Sequence, residues 1–132
     1  MYTTFYDERI VRNPFNGTRV GTAEEVFALF DALPKDEPFI CKLEGENGYE
    51  ILIGVGNTHG CIQYARSDGE PPYMVTVLSR GDDIGEYREF RLGNELTQVP
   101  ERRCLPMERI KEVVAYFVET GERSPNVLWE EV

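Results

Sequence analysis

The residues with chemical capacity gather in the stretch Ile51-Leu-Ile-Gly-Val-Gly-Asn-Thr-His-Gly-Cys-Ile-Gln-Tyr-Ala65, which holds Gly54, Gly56 and Gly60, the sole histidine His59, and Cys61. A glycine loop between a strand and a helix cradles phosphate on backbone N–H groups at the helix N-terminus. Here Gly54-Val-Gly56-Asn-Thr-His-Gly60 is one residue longer than the dinucleotide fingerprint. Cys61-Ile-Gln-Tyr-Ala65 alternates like a strand where that fingerprint needs a helix, and no Gly-Lys-Ser/Thr P-loop occurs. No nucleotide cofactor is therefore expected.

A Cys–His nucleophilic pair needs the base within hydrogen-bond reach of the thiol and a third group to orient it. Cys61 opens an apolar strand and is expected to face the core, which leaves His59 as a solvated turn residue. A small enzyme using His59 and Cys61, or a pocket carboxylate, remains the alternative. The cysteines Cys41, Cys61 and Cys104 are far apart, with no CxxC spacing, so neither a metal site nor a disulfide framework is indicated. They are expected to be buried thiols in a reducing compartment. Carboxylate pairs (Glu24/Glu25, Asp82/Asp83, Glu130/Glu131) are too common to mark acid–base work individually. Asp82/Asp83 lies between glycines with Glu86 nearby, either a solvated turn or a loop presenting negative charge to a partner.

These residues need elements to hold them. Thr22-Ala-Glu-Glu25 is a capping box, after which Val26, Phe27, Phe30 and Leu33 share a helical face and Pro34 stops the helix. Before it, Tyr2 to Val20 reads as irregular strand and turn. Strands are predicted at Phe39–Leu43, Tyr49–Val55, Cys61–Ala65, Tyr73–Ser79 and Tyr87–Leu92, with a turn at Glu46-Asn47-Gly48. After Pro106, Met107, Ile110, Val113, Val114, Phe117 and Val118 make the apolar stripe of a longer helix, with Gly121 as its left-handed cap. The tail with Val127, Leu128 and Trp129 is β-like and needs burial, most simply against the sheet or the last helix. The expectation is an α+β fold in one domain, residues 1–132: an antiparallel meander with a short N-terminal and a longer C-terminal helix on one face.

The chain has 132 residues, enough for a single core without metals or disulfides. Its start lacks a basic, then apolar, leader, and no stretch is apolar enough to span a bilayer, so a cytoplasmic protein is expected. A net charge of −10 disfavours direct contact with nucleic acid or anionic membrane and suits a basic partner.

Ile53-Gly-Val-Gly56 in a strand, Tyr64 in the next, Val99-Pro100 before an amphipathic helix ending in Glu119-Thr-Gly121, and then Trp129 occur in an order that resembles one family. It is the deaminase-linked immunity-protein family of bacterial polymorphic toxin systems, marked by a GxG motif and a C-terminal tryptophan. The likeness runs from about Phe39 to Trp129. It implies an α+β protein without enzymatic activity or cofactor that binds a cognate toxin, often a nucleic-acid deaminase, in the cytoplasm. The hallmarks that carry over are Gly54, Gly56 and Trp129: glycines for a tight or bulged strand end, tryptophan for packing. Toxin contacts do not carry over. For these the chain itself offers Asp68, Glu70, Tyr73, Asp82, Asp83 and Glu86. A generic protein-interaction domain is the blander alternative.

Overall fold

The computed structural model describes residues 1–8, 13–33 and 37–132. In chain order the elements are β1 (Thr3–Asp7), β2 (Thr18–Val20), α1 (Ala23–Ala32), β3 (Phe39–Gly45), β4 (Tyr49–Val55), β5 (His59–Arg66), β6 (Met74–Val77), β7 (Tyr87–Leu92), β8 (Glu95–Pro100), β9 (Leu105–Pro106), α2 (Met107–Thr120) and β10 (Leu128–Glu131). A 3-10 turn, Glu101–Arg103, links β8 to β9. The expected α+β class holds, with a short first helix and a longer last one. The described strands join in one sheet, ordered β10-β6-β5-β4-β3-β1-β2, with β7, β8 and β9 attached off that path.

Strands β3 to β6 form the expected meander, each antiparallel to the next. The N-terminal segment is more regular than its turn signals suggest. Five residues of β1 pair with β3, and β2 pairs with β1 at the sheet edge. The tail joins the sheet as β10, antiparallel to β6. Strand β8 has no counterpart in the sequence prediction, because its exposed and half-buried positions lack apolar alternation. It forms a hairpin with β7, whose only bridge to β3, Phe39 to Arg91, is parallel.

Local chemistry explains the helix ends. Thr22 Oγ1 accepts from the Glu25 N–H at 3.3 Å, and Glu25 reaches back to the Gly21 N–H at 3.2 Å, one residue beyond the usual box. Helix α1 buries Val26, Leu29 and Phe30, while Phe27 stays half-buried under the Lys111 ammonium, 5.4 Å from its ring centre. Pro34 lies outside the described residues. Helix α2 ends at Gly121, in the left-handed region with φ +77°. The Gly121 carbonyl then accepts from Asn47 Nδ2 at 3.0 Å and from the Tyr64 hydroxyl at 3.1 Å, fastening the β3–β4 turn to the helix end.

Two cores result. The larger joins α1 and α2 to one sheet face through Phe39, Cys41, Leu43, Ile51, Ile53 and Ile62. The smaller lies on the opposite face, where Ile40, Phe90 and Cys104 meet Leu52, Cys61 and Val99 beneath the β7–β8 hairpin. Apolar burial drives both, at roughly 25 cal/mol per Å² removed from water.

The glycines sit between these cores. Gly54 is inside β4, opposite Cys61, rather than at a turn. None of Gly54, Gly56 and Gly60 has positive φ, so space selects them rather than backbone freedom. A Cβ on Gly54 would stand 2.5 Å from Cys61 Sγ and 3.0 Å from the Phe90 ring. On Gly56 it would meet the His59 carbonyl oxygen at 2.0 Å, and on Gly60 the Gly54 carbonyl oxygen at 2.2 Å. Overpacking of this kind costs about 1–3 kcal/mol. Gly54→Ala and Gly56→Ala should each destabilise by at least that much in chemical denaturation. Adding Cys61→Ala should recover part of the Gly54→Ala loss and none of the Gly56→Ala loss, because only the first clash is with that sulfur.

Candidate functional site

The stretch that could have carried covalent chemistry is arranged otherwise. His59 Nδ1 lies 3.0 Å from Thr58 Oγ1, at the start of β5. Cys61 turns to the smaller core but is only half-buried, where a buried thiol was expected; Cys41 and Cys104 are buried. Its strand neighbours pair with β9 as Gly60 to Leu105 and His59 to Pro106, which brings Cys61 within hydrogen-bond reach of Cys104. The hydrogen bond to the Cys104 thiol, together with burial, pushes the Cys61 thiol well above its ordinary value. A thiol held protonated is a poor nucleophile at neutral pH. Among the described residues no group of three or more His, Cys, Asp or Glu side chains is placed to hold a metal ion.

What remains is surface. The candidate contact residues singled out in the sequence fall at opposite ends of β6. Asp68, Glu70 and Tyr73 precede it, and Asp82, Asp83 and Glu86 follow it. In the first group Asp68 pairs with Arg66 and accepts from the Glu70 N–H at 3.0 Å, while the Tyr73 hydroxyl donates to the Gly69 carbonyl. The backbone hydrogen bond from Glu70 and the Arg66 partner hold the Asp68 carboxyl below its ordinary value. The loop is thus pre-shaped, with Asp68 and Glu70 exposed.

In the second group the three acids differ. Asp82 and Glu86 are exposed, and Asp83 is half-buried. Asp83 accepts from Arg102 Nη2 at 2.7 Å and from Arg103 Nη2 at 2.6 Å. Arg102 also pairs with Glu130 of β10 and donates to the Ser79 carbonyl at 3.0 Å. Asp83 therefore fastens the β6–β7 loop to the 3-10 turn and, through Arg102, to the last strand. Sequence reasoning grouped it with Asp82 as a charge on display, and the arginines that claim it lie some twenty positions on. Neighbouring Ile84 is 84% exposed, an apolar side chain carried outward between Asp83 and Glu86.

Several depressions mark the described surface, and two of them flank Met74 and Val75 of β6. An aromatic cleft is walled by Tyr49, Tyr64, Pro72, Met74 and Trp129. Trp129 donates Nε1–H to the Ser124 carbonyl at 2.9 Å and meets Tyr64 edge-on, which ties β10 to the segment after α2. The Arg123 guanidinium already lies over both rings, 5.8 Å from the Tyr64 centre and 5.9 Å from that of Trp129. The second depression is a half-open groove of about 280 Å³ between the helix-free sheet face and the β7–β8 hairpin. Sequence reasoning missed it. The signal was Ile40 and Leu52, apolar at alternate positions where a solvated face calls for polar residues.

The family model of immunity protein Imm1 matches residues 16–131, from just before β2 to the end of β10. The chain belongs to that family. No curated protein matches it. Membership gives this Imm1 protein the role of an immunity protein, which binds a cognate toxin. The match spans both helices, both depressions and, apart from Phe5 of β1, the buried residues of both cores. No helix among the described residues is long and apolar enough to cross a membrane.

The Asp83 link has a pH signature. The hydrogen bond from Arg102, with Arg103 adding to it, holds the Asp83 carboxyl below its ordinary value. A depressed carboxylate contributes stability that is full above the unfolded value, about 3.9, and is lost as pH falls through the native value. Asp83→Asn should lower the thermal midpoint at pH 7, and the gap from the parent should close as pH drops below about 3.9. Parallel melting curves from pH 7 to pH 2.5 check this, and a gap that persists at the acid end contradicts it.

Proposed function

We propose that the protein is the antitoxin of a bacterial polymorphic toxin system, acting in the cytoplasm against a nucleic-acid-targeting toxin used in interbacterial competition. A deaminase is the class implied by the GxG and tryptophan hallmarks. Neutralisation is by binding: a stoichiometric complex covers the toxin's substrate channel, and the antitoxin performs no reaction on it. Family membership over residues 16–131 is the observation that carries this reading.

Charge supports the choice of partner. A toxin that grips DNA or RNA presents positive potential around its active site. A chain with 24 acidic against 14 basic side chains complements such a surface and repels the nucleic acid itself. Asp68, Glu70, Tyr73, Asp82 and Glu86 are the proposed contacts at the two ends of β6, with Asp83 holding the second loop in shape. Complementary fields also speed encounter, which suits a protein that must reach a toxin before the toxin reaches its substrate.

Co-expression with the toxin encoded beside this gene tests the proposal. The host should survive with the protein present and die without it; equal killing sinks the reading. Association rates should fall on the order of tenfold or more as salt rises well above physiological strength, because screening shortens the range of the field. Rates indifferent to salt would remove the electrostatic part.

A further inference from the structure

Among the described residues one face of the sheet carries neither α1 nor α2, and the strand register shows what it displays. Paired residues on neighbouring strands project to the same side. One row across the face therefore runs Tyr6, Lys42, Leu52, Gln63, Val75 and Glu130, and beside it runs Arg19, Thr4, Glu44, Glu50 and Ala65. The β7–β8 hairpin covers only the far side of this face, where Phe90 rests against Gly54. Between the covered and open parts runs the groove of about 280 Å³, lined by Leu52, Val75, Leu92, Thr97 and Val99.

Among the described residues of the open rows and the adjoining Glu8, carboxylates outnumber basic side chains. Lys42 Nζ stands 3.9 Å from Glu8 Oε1 and 3.8 Å from Glu44 Oε2. Glu50 sits directly across from Glu44. Burial pushes the Glu50 carboxyl up; Lys42 draws it down, and Glu44 and Glu8 push it up again. Among the described residues Lys42 is shared among these carboxylates, and Arg19 at the end of the row stands 4.6 Å from the Tyr2 ring centre, so negative charge is left over beside an apolar trench. At the groove's other end Arg103 is occupied by Asp83.

Resting on the immunity reading above, we propose that this helix-free face is where the toxin docks. An apolar side chain of the toxin fills the groove, and flanking arginine or lysine residues from its nucleic-acid-binding surface meet Glu44, Glu50 and Glu8. The acidic loops at either end of β6 frame this contact. The aromatic cleft around Trp129 is the poorer seat for a basic partner, because Arg123 already covers its rings.

The test measures binding to the catalytically silenced toxin domain encoded beside this gene. Glu44→Lys with Gln63→Lys adds three positive charges to the face, and Ala28→Lys with Glu119→Lys adds the same to exposed helix positions on the other side. Thr97→Trp fills the groove with no change of charge, and thermal melting verifies that each variant is folded. The face pair and Thr97→Trp should each weaken Kd by about 30-fold or more, the scale of an interface hot spot. The helix pair should change it by less than about threefold, since remote charges are screened. If the parent binds and Thr97→Trp and the face pair bind as the helix pair does, the docking face is wrong and the immunity reading stands. If the parent itself fails to bind, both fall.

Discussion

The lack of room at Gly54 governs most of this structure. Central strands β4 and β5 are packed on both faces, by the helices on one side and by the β7–β8 hairpin on the other. The hairpin comes close because Gly54 has no side chain, so the Phe90 ring rests against the strand and Cys61 has space for its sulfur. Gly56 and Gly60 extend the same constraint to the connection between the strands, where backbone meets backbone. A groove exists beside Leu52 only because the hairpin is seated there and stops partway across the sheet. The motif that first suggests a phosphate loop acts instead by holding a surface in shape.

Charge is divided between two tasks. Asp83 is spent inside the molecule, joining the β6–β7 loop to the 3-10 turn and, through Arg102 and Glu130, to the C-terminal strand. Such links, partly exposed and screened, each contribute little to stability but fix the loop's geometry. Among the described residues Glu8, Glu44 and Glu50 share Lys42, and Glu70, Asp82 and Glu86 face solvent. Negative charge without an internal partner costs the folded state some self-repulsion. A basic partner would offset that cost, which is the physical link between the acidic composition and a binding role.

The sequence revealed the elements whose periodicity is strong. Met107 to Val118 reads as a helix on its apolar stripe, and Phe39 to Val55 as a hairpin on alternation about Asn47-Gly48. The capping box at Thr22 and the left-handed end at Gly121 follow from single residues, because local geometry alone demands them. Family membership was visible in the order of short motifs that are each unspecific. Strand β8 was not visible, since Glu95-Leu-Thr-Gln-Val-Pro100 lies half in solvent and is held by its hairpin partner. The role of Asp83 was hidden for a related reason: its arginines are distant in the chain and arrive only through tertiary packing. The groove combines both cases, as its walls come from strands that sequence spacing does not bring together.

The central claim is that this protein neutralises by occupying a toxin rather than by altering it. Titrating the activity of the toxin encoded beside this gene, at concentrations far above Kd, tests that most directly. The account predicts a linear loss of activity that reaches its floor at about one equivalent and does not deepen with time, as tight stoichiometric binding requires. Progressive loss of activity at a small fraction of an equivalent, or full activity at several equivalents, would contradict it.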